Sequence, residues 1–176
     1  MTQLREALDR ILNWAKENYD ETGDWRSGLT HAEIEEKTSD LLPLKLPLEV
    51  YELYQWRDGC LDPYEDYSNF YSSFIYDRLD FLHLDEAILN YQEKPNKNNP
   101  LFPIFYNEKF WYTVVLSPEQ KSSPIIVTRQ LYQDKGEIIA PNLTTLMIAQ
   151  AEYLELEADY LDVCQKYNCQ SLLNFA

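Results

Sequence analysis

The sequence predicts an α+β fold, in which one mainly antiparallel sheet of about four to six strands is packed by helices from both ends of the chain. Three observations carry that expectation. Apolar residues recur at helical spacing through the N-terminal third, three aromatic and β-branched runs follow one another between residues 101 and 131, and helical spacing returns from Leu143. Helices, then a meander, then helices is not the alternating order that builds a parallel sheet.

Leu4, Leu8, Ile11, Leu12 and Ala15 mark an amphipathic helix over 2–19. A connector, Gly23-Asp24-Trp25-Arg26-Ser27, leads to Thr30 and Glu33. This Thr-x-x-Glu spacing is a capping box, each side chain satisfying an orphan backbone N–H, so a helix opens at Thr30 and runs to about 39. Pro47 suits the first turn of another helix reaching 58, with Val50, Leu53, Tyr54 and Trp56 as its apolar face and Gly59 as a left-handed C-cap. Residues 60–73 fit neither period and form a long loop, with a short strand at 74–76 as its candidate end. Asp85 can cap a helix over 86–92, and the polar cluster 94–100 breaks it. Leu101–Tyr106, Phe110–Leu116 and Ile125–Leu131 then read as an antiparallel meander, with a short strand at 137–140. Leu143, Leu146, Met147, Ala151 and Leu154 begin a C-terminal helix, and Leu156, Tyr160, Leu161 and Cys164 continue it or form a second one to about 168.

A chain of 176 residues that is 45% hydrophobic can bury a sizeable core and has no composition break forcing a split. One domain over 1–176 is expected, with a helix and connector at 1–27, a core at 28–150 and a helical tail at 151–176. No apolar run reaches the length of a membrane span and no signal-like N-terminus is present, so a cytoplasmic chain without membrane contact is expected. Cys60, Cys164 and Cys169 have neither disulfide-framework nor Cys-x-x-Cys spacing, which suits reduced thiols. The net charge of −15 would repel a phosphate backbone, which argues against direct nucleic-acid binding. The charge is uneven: residues 94–137 hold six basic against four acidic residues, leaving −17 for the remainder. Such a surface keeps a protein in solution, or docks a basic partner.

The series Gly28-Leu29-Thr30-x-x-Glu33-Ile34-Glu35-Glu36, Leu46-Pro47-x-x-x-Tyr51-x-Leu53-Tyr54-x-Trp56-Arg57-Asp58-Gly59, Phe81-Leu82-His83-Leu84-Asp85-Glu86-Ala87, Leu101-Phe102-Pro103-Ile104 and Ala140-Pro141-Asn142-Leu143 resembles the SUKH superfamily, the bacterial relatives of the yeast Smi/Knr cell-wall regulators. The resemblance covers roughly residues 28–150 in the family's order. Asn142 stands where Ser is usual, which keeps N-cap chemistry. The 60–80 segment departs further, being rich in Tyr and acid. The resemblance implies a SUKH-like sheet serving as a platform for a protein partner, and for bacterial members an immunity protein that neutralises a toxin domain, often a nuclease. The alternative it implies is a regulatory scaffold of the Smi/Knr type.

Little in the residues suggests catalysis. The only histidines, His31 and His83, lie at an early helical position and on a candidate strand, and no Cys/His set has zinc spacing. Asp77 with Asp80, or Asp62 with Glu65 and Asp66, could pair as carboxylates, but neither has the alternating oxygen ligands and turn glycine of a Ca²⁺ loop. Four glycines leave no phosphate cradle. No cofactor is expected. An enzyme would need turnover depending on His31, His83 or a carboxylate pair. The candidate protein-binding residues are Asp62, Tyr64, Glu65, Asp66 and Tyr67, because acid and tyrosine concentrate there: Tyr gives contact area at little entropic cost, and carboxylates steer a basic toxin domain. The same rings could instead fold inward over a sheet edge. Trp56 and Trp111 read as core, and Trp25, beside Arg26 in a polar connector, is the hardest to place there.

Overall fold

The computed structural model describes residues 1–18, 25–60, 80–93, 99–106, 110–129, 136–156 and 159–170. Among them the fold is α+β, with six α-helices and seven strands. The helices are α1 (Gln3–Asn18), α2 (His31–Lys37), α3 (Leu48–Trp56), α4 (Leu84–Glu93), α5 (Leu143–Leu156) and α6 (Tyr160–Tyr167). Strands β1 (Trp25–Ser27) and β2 (Arg57–Cys60) form an antiparallel ribbon. Strands β3 (Asp80–Phe81), β4 (Leu101–Tyr106), β5 (Trp111–Val115), β6 (Ile125–Thr128) and β7 (Glu137–Ala140) form a five-stranded antiparallel meander in sequence order.

The capping box at Thr30 forms as its spacing predicts. The Thr30 N–H donates to Glu33 Oε2 at 2.7 Å and the Glu33 N–H to Thr30 Oγ1 at 3.3 Å. Helix α3 stops two residues earlier than its glycine suggests, because Arg57 turns extended to enter β2. Gly59 is left-handed, at φ 76°, but inside that strand and not as a helix C-cap. A Cβ there would lie 2.6 Å from the His83 backbone nitrogen, so the close approach and the positive φ both require glycine. Gly28 serves a similar purpose, since a Cβ on it would meet the Gln55 carbonyl oxygen at 2.0 Å.

Helix α4 begins at Leu84, not after a cap by Asp85. Its first-turn N–H groups are taken by Asp58 Oδ1, 2.8 Å from the Leu84 nitrogen, and by His83 Nδ1, 3.2 Å from the Glu86 nitrogen. Asp85 is left free to face α2, where it accepts from Lys37 Nζ at 2.6 Å. Asn142 does cap α5, accepting from the Thr145 N–H at 2.8 Å. A short break separates α5 from α6, which Asp159 caps.

Strand β4 is buried through Leu101–Phe105, as expected for a strand covered on both faces. Pro103 sits inside this internal strand beside a register shift between 103 and 105, a bulge that tolerates a residue without an N–H. Below the sheet, α1 packs Leu4, Leu8, Ile11 and Leu12 into a core shared with Leu143, Leu146, Met147 and Ala151 of α5. Arg10 clamps the two helices from outside through both Glu155 carboxylate oxygens. At the far edge, the Gln170 N–H donates to the Ile139 carbonyl of β7 at 2.7 Å.

Trp56 is 1% exposed and donates its indole N–H to Asp9 at 2.7 Å, joining α3 to α1. Trp25 is also a core neighbour, contrary to its reading as the least core-like tryptophan. Its ring lies 5.6 Å from that of Trp56 and 6.5 Å from that of Phe81, because β1 pairs with β2 and carries it there. Trp111 is half-buried and packs on Tyr106 at 4.3 Å.

Candidate functional site

Asp62, Tyr64, Glu65, Asp66 and Tyr67 lie outside the described residues, as do Asp77 and the candidate strand 74–76. Of the other residues weighed for chemistry, His31 opens α2 on the surface, its Nε2 3.8 Å from Glu35 and its ring 5.3 Å from that of Tyr51. His83 holds the α4 N-terminus, with Nε2 3.7 Å from Glu86. Cys164 and Cys169 are thiols outside any disulfide, and burial, with the neighbouring Cys164, pushes the Cys169 thiol up to about 11. Among the described residues no group of three His, Cys, Asp or Glu side chains could hold a metal ion. No helix among them is long and apolar enough to cross a membrane.

A cleft of about 690 Å³ opens where the start of α1 meets α2, α3 and the β5–β6 connection. Helix α3 supplies its floor. Val50, Leu53 and Tyr54 turn into the core, while Leu48, Tyr51, Glu52 and Gln55, at i, i+3, i+4 and i+7, form a second stripe that lines the cleft. Arg5, His31 and Gln120 enclose the sides. Tyr51 donates its hydroxyl to Glu35 in a short hydrogen bond; burial, then that bond, pushes its phenol up to about 12. Burial also raises the Glu52 carboxyl, an effect the Arg5 backbone N–H and guanidinium charge partly offset and the Glu49 charge adds to. Leu48 is 59% exposed at the rim. The cleft thus joins a carboxylate, aromatic rings, two amides and an exposed aliphatic side chain, a set suited to contacting a polypeptide.

Sequence reasoning read α3 only for its apolar face and missed the second stripe, although its spacing is visible in 48–55. Arg5 and Gln120 reach the cleft only through tertiary packing.

No family model matches this chain, and none of the curated proteins matches it.

Proposed function

We propose that this chain is a non-catalytic protein-binding module of SUKH type, whose role is that of an immunity protein: it neutralises a basic toxin domain, such as a nuclease, by direct contact. The observation that carries this reading is the distribution of charge. Residues 28–60 and 80–93, which supply α2, α3 and α4, hold eleven acidic against three basic residues. Glu33, Glu35, Glu36, Asp40, Asp85, Glu86 and Glu93 are exposed among them. Two of the three cations are already engaged, Lys37 with Asp85 and Arg57 over the Trp56 ring at 5.6 Å. A surface of this sign selects a cationic partner and speeds encounter with it. The helix caps at Thr30 and Asn142 also agree with the motif series behind the SUKH resemblance.

The test is capture from source-cell lysate on the immobilised chain, washed at low and then raised salt. A single basic partner retained one-to-one supports the immunity role; several weakly held partners favour the Smi/Knr-type scaffold role. Asp62, Tyr64, Glu65, Asp66 and Tyr67 belong to the proposed contact on sequence grounds. Reversing Glu65 and Asp66 to lysine is expected to weaken the complex, and unchanged affinity would remove them from it.

A further inference from the structure

Just past α6, Asn168 stands in the left-handed region at φ 54° and ψ 36°. Its N–H donates to the Gln165 carbonyl at 3.3 Å, and the next N–H, that of Cys169, donates to the Cys164 carbonyl at 2.8 Å. These two bonds close α6 as a Schellman motif, in which the side chain three places before the cap commonly touches the one two places after it. Both of those positions are cysteines here.

The backbone alone brings the pair within bonding reach. Standard peptide dimensions around the 2.8 Å hydrogen bond hold the two Cα atoms at most about 6.7 Å apart, inside the span a disulfide bridges. Cys164 is 4% exposed and Cys169 packs half-buried against the core, so both side chains turn inward. They lie near enough for charge on Cys164 to act on the Cys169 thiol. The residue that follows, Gln170, carries the N–H bonded to Ile139 of β7 at 2.7 Å, so the cysteine pair sits between α6 and the margin of the sheet.

We propose that Cys164 and Cys169 form a reversible disulfide site: two thiols under reducing conditions and, under oxidising ones, a bond that staples the end of α6 and with it the placement of Gln170 on β7. The co-reactant is a small disulfide such as oxidised glutathione. The Cys169 thiolate, the less buried of the two sulfurs, attacks one glutathione sulfur, breaks that S–S bond and expels a glutathione thiolate. The Cys164 thiolate then attacks Cys169 Sγ and expels the second glutathione; the two protons leaving the cysteines end on the two glutathiones, and the electron pair the protein loses reduces the oxidant. Since burial raises the Cys169 thiol to about 11, the first step is slow near neutral pH and quickens about tenfold for each unit of pH below that value.

The test equilibrates the full chain in mixtures of reduced and oxidised glutathione, quenches with acid and alkylating agent, and maps tryptic peptides by mass spectrometry. Lys166 lies between the two cysteines, so trypsin leaves them on separate peptides that remain joined only where the bond has formed. The joined pair, lighter by two hydrogens and free of glutathione, is expected in the parent and in C60A and absent in C169A, while C164A keeps on Cys169 the glutathione adduct that the parent resolves. Hydrogen exchange at the Gln170 amide is expected to slow about tenfold in the oxidised chain, with α1 unchanged. A parent that accumulates glutathione adducts, pairs either cysteine with Cys60, or stays reduced in oxidised glutathione at about pH 9 would overturn the site. A bond that forms and leaves Gln170 exchange as it was would overturn the staple.

Discussion

Asp58 does more for the fold than its place in a four-residue strand suggests. Only 6% exposed, it accepts the Leu84 N–H at 2.8 Å and so ties the end of α3 and β2 to the start of α4. Replacing it with alanine leaves that N–H unsatisfied in a buried setting, and D58A is expected to cost about 1–2 kcal/mol in urea unfolding. Tyr51 makes a pH-dependent contribution of defined sign. Burial and the bond to Glu35 push its phenol from the ordinary tyrosine value of 10.0 up to about 12, so folding favours the neutral phenol. The stability it supplies is complete below about pH 10 and disappears as pH rises through 12. Tyrosinate absorbance should therefore lose part of its late-titrating amplitude in Y51F, with the more deeply buried Tyr54 still titrating late, and the stability of Y51F should fall less steeply over that alkaline range.

At the scale of elements, the helical pair α1 and α5 carries much of the core. Leu8 is 0% exposed at its centre, and L8A is expected to lose about 2–5 kcal/mol, read as a lower urea midpoint with the cooperative transition kept. Elements whose signals are local were legible in the sequence. The Thr30 capping box, the apolar periodicity of α1 and the aromatic run of β4 all form where their residues place them. Elements that depend on a distant partner were not. Strand β1 is three residues long and exists because β2 pairs with it, so neither alternation nor propensity could announce it. The spacing places the start of α4 two residues late because Asp85 is a plausible cap, whereas the true acceptor, Asp58, stands 26 residues away. Gly59 was marked correctly as left-handed, yet a helix end and a strand making a close approach ask for the same residue. The cleft divides in the same way: Leu48, Tyr51, Glu52 and Gln55 follow from helical spacing, while Arg5 and Gln120 come from elements that only packing brings near.

Across the whole molecule the charge of −15 governs encounter more than cohesion. Association with a basic partner is expected to slow by about tenfold or more between low and high ionic strength, with dissociation changing far less, as stopped-flow mixing at graded salt would reveal. The same charge keeps copies of the chain apart, but repulsion alone does not protect an open sheet margin. In this fold β7 forms one margin of the meander, with Ile138 53% exposed on it. The bond from the Gln170 N–H to the Ile139 carbonyl occupies an acceptor that a neighbouring molecule's strand could otherwise use. Gln170, just after α6, therefore acts as a guard against self-templating, and trimming the chain at Asn168 would expose a short β-edge whose consequence is aggregation in concentrated solution.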